Sequence, residues 1–154
     1  LDRAARGLMV LAHERRVAAS LSESFRERRV EKHYRAKVHG DPAFDALPLR
    51  LCDPIDGRVA VTEVLTVESL SGEWEGCSEV LVSIETGRKH QIRRHLADVG
   101  APIVGDRLYG PSRESGQIYK GTADLQLIAC RLAFDDPRSG ERRCYELDGA
   151  TQAV

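Results

Sequence analysis

Hydrophobic positions recur along this chain with two periods, and the switches between them outline its elements. Residues 31–40 alternate: Tyr34, Ala36 and Val38 face one way and His33, Arg35 and Lys37 the other, which reads as a half-buried strand. Residues 59–70 alternate too, with Val59, Val61, Glu63 and Leu65 on one face and Ala60, Thr62, Val64 and Thr66 on the other. In residues 78–85, Val80, Val82 and Ile84 share a face, and the Gly-rich turn at 71–76 predicts a hairpin with the preceding strand. The apolar run at 8–12 reads as a short buried strand, and residues 125–134 and 143–147 as two more strands joined by a turn.

The period becomes helical twice. Over residues 14–29, Val17, Leu21 and Phe25 recur every four positions with Ala18 beside them. Farther on, Ile92, Leu96 and Val99 fall on one helical face, and Gly100 is placed to end that helix. Residues 41–56, with Pro42, Pro48 and Pro54, read as loop, and residues 111–123, polar and Gly-rich, as a mobile loop. Strands outnumber helices and several join by short turns. The expected class is α+β with a largely antiparallel sheet, its core including strands around Met9, Ala36, Val82 and Ile128.

A chain of 154 residues, 42% hydrophobic and 31% charged, has enough apolar surface for one domain with a core and no disorder signature. The formal net charge of -1 means that any nucleic-acid footprint must be local. Residues 1–40 and 86–95 are rich in Arg and Lys. The turn before the second helix carries Arg88, Lys89, His90, Arg93, Arg94 and His95. A helix N-terminus favours anions, so cations loaded there give up helix stability. They read either as a solvated basic patch or as contacts to an anionic partner.

Cys52, Cys77, Cys130 and Cys144 form no C-x-x-C pair and no zinc spacing, and His90 and His95 are not the i, i+4 pair of a zinc helix. No metal site is expected. With no signal peptide visible, the cysteines read as reduced thiols of a cytoplasmic protein. No apolar run has membrane-spanning length, so no membrane partner is expected. The chain begins with Leu1 and its one methionine is Met9, which predicts further sequence upstream.

The run Thr86-Gly87-Arg88-Lys89-His90-Gln91-Ile92-Arg93-Arg94-His95-Leu96, followed by Pro102-Ile103-Val104-Gly105-Asp106 and Leu108-Tyr109-Gly110, resembles the signature of RluA-type RNA pseudouridine synthases. Lys32, Tyr34, Ala36, Val38 and Gly40 match a second motif of that family. Leu1, Asp2 and Gly7 match a third, with Ala5 and Arg6 where the family carries Thr and Ser. The resemblance runs from Asp2 to about Phe134. It implies a mixed sheet with an RNA cleft on one face, and a catalytic domain over residues 1–154 that lacks its N-terminal portion.

The resemblance implies an enzyme that isomerises uridine in ribosomal or transfer RNA, with Asp2 as catalytic nucleophile, Arg93 as its cation and Tyr34 packed on the uracil. Read bare, Asp2 is a turn residue, Tyr34 a strand aromatic and Arg93 a surface charge. Arg88, Lys89, His90 and Arg94 are candidate phosphate contacts. The isomerisation oxidises nothing and loses no group, so no cofactor is expected, and no obligatory protein partner. The competing reading is an inactive RNA-binding fragment or degenerate homologue, because the Asp2 motif lacks its hydroxyls.

Overall fold

The computed structural model describes residue 2, residues 4–111 and residues 124–147. Among the described residues, seven strands form one sheet: β1 (Arg6–Gly7), β2 (Glu31–His39), β3 (Leu49–Leu51), β4 (Thr62–Ser69), β5 (Cys77–Ile84), β6 (Leu127–Asp135) and β7 (Arg142–Glu146). Two helices accompany it, α1 (Arg15–Arg26) and α2 (Gln91–Asp98). The sheet runs β1-β6-β2-β5-β4-β3, with β7 also paired to β6. All pairings are antiparallel except β1 with β6. The class is α+β, as the alternation predicts. No helix among the described residues is long and apolar enough to cross a membrane.

The sheet's register follows from one buried face. Ala36 pairs with Val80 and Tyr34 with Val82, while Val64 lies opposite Val82 on the other side. Val38, Val64, Val80 and Val82 are fully buried in one cluster with Ile92 and Leu96 of α2 and Ile103 beyond it. β-Branched residues suit this role because they pack well on a pleated surface. A second cluster joins Leu21 of α1 to Val30, Leu132 and Phe134, with Leu8, Val10, Ala12 and Val17 packed against it. Gly100, at φ 77°, ends α2 as expected.

Three expectations need correction. The apolar run at 8–12 is not a strand. Only Arg6–Gly7 pairs with β6, and β7 takes the rest of that edge from Arg131 to Asp135, so no partner is left for the run. It is instead two-sided, with Leu8, Val10 and Ala12 half-buried and Met9 and Leu11 64% and 75% exposed, so Met9 is not in the core. Within the expected loop at 41–56, Leu49–Leu51 forms β3 on the edge of β4; three residues between prolines show no period. In β4 a bulge between Val64 and Thr66 resets the alternation, so that Val67, not Thr66, meets the core. The mobile loop expected at 111–123 lies outside the described residues apart from Pro111.

Candidate active site

Asp2 reaches the sheet through Gly7. Ala5 N–H donates to the Asp2 carbonyl at 2.9 Å, and Gly7 then lies flat against β6. Gly7 has φ 112°, and a Cβ there would sit 2.3 Å from the Ala129 carbonyl oxygen. Only glycine tolerates both the backbone and the approach.

Arg93 comes from the buried side of α2, and its side chain is 8% exposed. Its main partner is Asp106: Nε donates to Oδ2 and Nη2 to Oδ1, both at 2.7 Å, a fork-to-fork pair. The third nitrogen, Nη1, points to Asp2 Oδ2 at 3.5 Å. One guanidinium thus sits between two carboxylates. Asp106, with its side chain wholly buried, also accepts the Leu108 and Tyr109 N–H groups at 2.9 and 3.1 Å. Burial alone would raise the Asp106 carboxyl, but Arg93 and these two N–H groups outweigh it and hold it below the usual carboxylate range. The Arg93 guanidinium is raised further, first by its bonds to Asp106. The Tyr109 ring lies 5.2 Å from the guanidinium carbon and its hydroxyl meets His90 Nδ1 at 3.1 Å.

Tyr34 stands on β2, on the same face as Ala36 and Val38, half-buried against the main core. Its phenol is pushed up by burial first, then by the negative charge of Asp2 and by Cys130. Asp2 and Tyr34 line one pocket of about 240 Å³, with Ala5, Gly87, Arg88, Lys89 and Ile92 among its other walls. Ligand pockets commonly span about 300–1,000 Å³, so this one is small on that scale.

The turn bearing the cations is fixed by a buried polar network. The Thr86 hydroxyl and Arg88 N–H both donate to Gln91 Oε1, and Gln91 Nε2 donates to the Val61 carbonyl and to Thr62 Oγ1. Val61 N–H closes the ring on Thr86 Oγ1. Every polar atom of the Gln91 side chain has its partners, which lets a wholly buried amide act as a clamp. His95, also buried, meets the Asp53 carbonyl through Nε2 and Thr62 Oγ1 through Nδ1. A carbonyl only accepts, so Nε2 carries the proton and Nδ1 accepts from Thr62.

The four expected phosphate contacts separate here. Arg88 and Lys89 line the pocket. Arg88 Nε is held by the Val59 carbonyl at 2.9 Å, and Lys89 is exposed with no hydrogen bond or ion pair among the described residues. His90 is occupied by Tyr109, and Arg94 pairs with Asp56 at 3.0 Å away from the pocket walls. Sequence reading missed the part played by Asp106, Gln91, Thr62 and Thr86. Thr86, Gln91 and Asp106 stand inside the matched signature, which was their one visible signal; Thr62 stands outside it.

A model of the RNA pseudouridylate synthase family matches residues 1–98 of this chain, the span that includes Asp2, Tyr34 and Arg93. The chain belongs to that family. It is 34% identical to the ribosomal large subunit pseudouridine synthase D of Neisseria meningitidis, over 95% of this chain and 43% of that one. It is 31% identical to the tRNA pseudouridine synthase C of Yersinia pestis, over 92% of this chain and 63% of that one. The chain therefore spans about half the length of the curated relatives it matches. Among solved structures, human RNA pseudouridylate synthase domain containing 4 superposes with a TM-score of 0.74 at 26% identity, over 96% of this chain and 68% of the other.

Proposed function

We propose that this protein isomerises uridine to pseudouridine in ribosomal or transfer RNA, with Asp2 as the nucleophile. The observation that carries the reading is that Asp2 pairs with Arg93 and shares the walls of one pocket with Tyr34, which brings three distant stretches of chain together. The names of the Neisseria and Yersinia relatives supply the two RNA classes.

The reaction breaks the bond from uracil N1 to the sugar, turns the base and joins the sugar to C5. C5 loses a proton and N1 gains one, so the product is an isomer and no redox partner is needed. An ionised carboxylate serves as nucleophile or as proton acceptor on the sugar. Arg93 is charged at every working pH, and Asp106 holds it in place, so Asp2 faces a fixed cation. Tyr34, whose raised phenol keeps its proton near neutrality, offers a face for the extruded uracil and a hydroxyl able to donate. Arg88 and Lys89 at the rim take the phosphates. Such a substrate is met in the cytoplasm.

The test is direct. Unmodified ribosomal and transfer RNA transcripts are incubated with the protein and probed for pseudouridine by carbodiimide-dependent reverse-transcription stops. New stops at a defined uridine support the proposal. RNA binding without stops favours an RNA-binding homologue that Ala5 and Arg6 have disarmed.

A further inference from the structure

A second pocket of about 220 Å³ adjoins the first, and Tyr34 lines both. Leu8, Met9, Val10, Phe25 and Leu132 give it apolar walls, and Lys32 adds a cation. Lys32 is only 8% exposed, yet it makes no hydrogen bond or ion pair among the described residues; its Nζ stands over the Phe25 ring, 5.9 Å from the ring centroid. Lysines are almost never this buried unless paired. Burial first, and then the charge of Arg28, lower its pKa. A buried cation therefore lines a pocket with no anion among the described residues to meet it.

We propose that this second pocket is a subsite for the nucleotide next to the target uridine in the same RNA strand, its phosphate held by Lys32 and its base laid on Met9 and Phe25. The inference rests on reading the first pocket as the uridine site. A nucleotide is the ligand that combines an anion with a flat apolar face over this short distance. The two pockets are of similar size and share the Tyr34 wall, as two successive nucleotides require. Met9, 64% exposed, is an apolar side chain placed where a base can lie on it, and a thioether adapts to any ring. Stacking of this kind tolerates every base, so the subsite contributes affinity and register more than sequence choice. Filling it also gives Lys32 the counter-charge that the fold withholds.

The test compares the protein with Lys32→Met, using a labelled oligouridylate probe titrated across salt concentrations. The variant is expected to melt no lower than the parent, since it removes an unpaired buried charge. It should bind the probe about tenfold more weakly, with a salt slope smaller by about 0.7. Probes carrying one neutral methylphosphonate linkage then locate the contact: a single linkage beside the target uridine should weaken binding to the parent and make no difference to the variant. Unchanged affinity and slope in Lys32→Met, or a flat linkage scan on the parent, overturns the subsite. A lower melting temperature with unchanged RNA affinity overturns it too, making Lys32 a cation that serves the fold or a protein partner. Absence of pseudouridine formation by the parent overturns the first pocket's reading instead, and is scored separately from these binding measurements.

Discussion

Arg93 stands between Asp106, at 2.7 Å through two bonds, and Asp2, at 3.5 Å through one. The shorter pair anchors the guanidinium and the longer one leaves the Asp2 carboxylate available. Asp106→Ala strands Arg93 in a buried site, which should cost about 3–5 kcal/mol of stability in urea denaturation. The pH dependence has a definite sign. A carboxyl held below its ordinary value contributes its full stability above that value and loses it as pH falls through the lowered one. The parent should therefore lose this contribution only in acid, and the parent–variant difference should shrink there. The sequence motif led to Asp2 and Arg93, but Asp106 was legible only as a position in a signature. An ion pair across a turn leaves no period in a sequence.

Among the elements, β1 is two residues long and still sets the position of Asp2. Gly7 makes this possible, and Gly7→Ala should push the strand off Ala129, where a Cβ has only 2.3 Å. We expect a loss of at least about 1–3 kcal/mol from the strained backbone, with isomerisation falling further than stability explains because Asp2 moves away from Arg93. Thermal unfolding and turnover, measured on one preparation, check this. The long alternating strands were legible because each has one buried face; β2 and β5 lie where the pattern puts them. The run at 8–12 misled because apolar character on both sides reads as a buried strand, while the edge it needed belongs to β7. The β4 bulge was invisible because one inserted residue changes facing without changing composition.

At the scale of the whole molecule, a net charge of -1 requires any RNA footprint to be a local patch. The cluster at 86–95 was legible as basic, but its internal pairing was not, since Asp56, Val59 and Tyr109 come from other segments. Lys89, exposed at the rim, is the cation best placed for phosphate, whereas Arg94 is already paired with Asp56. Lys89→Ala should lower the salt slope of oligouridylate binding by about 0.7 and Arg94→Ala should leave it nearly unchanged, as titrations at several salt concentrations will show. The central claim concerns the cleft these parts build. Its most direct measurement is the turnover of Asp2→Asn on a uridine that the parent modifies, with RNA affinity recorded alongside. Asparagine keeps the shape and removes the charge, so isomerisation should fall by about a thousandfold or more while RNA affinity changes little. Turnover at the parent's rate would contradict the account, because the reaction would then proceed without the carboxylate that Arg93 faces.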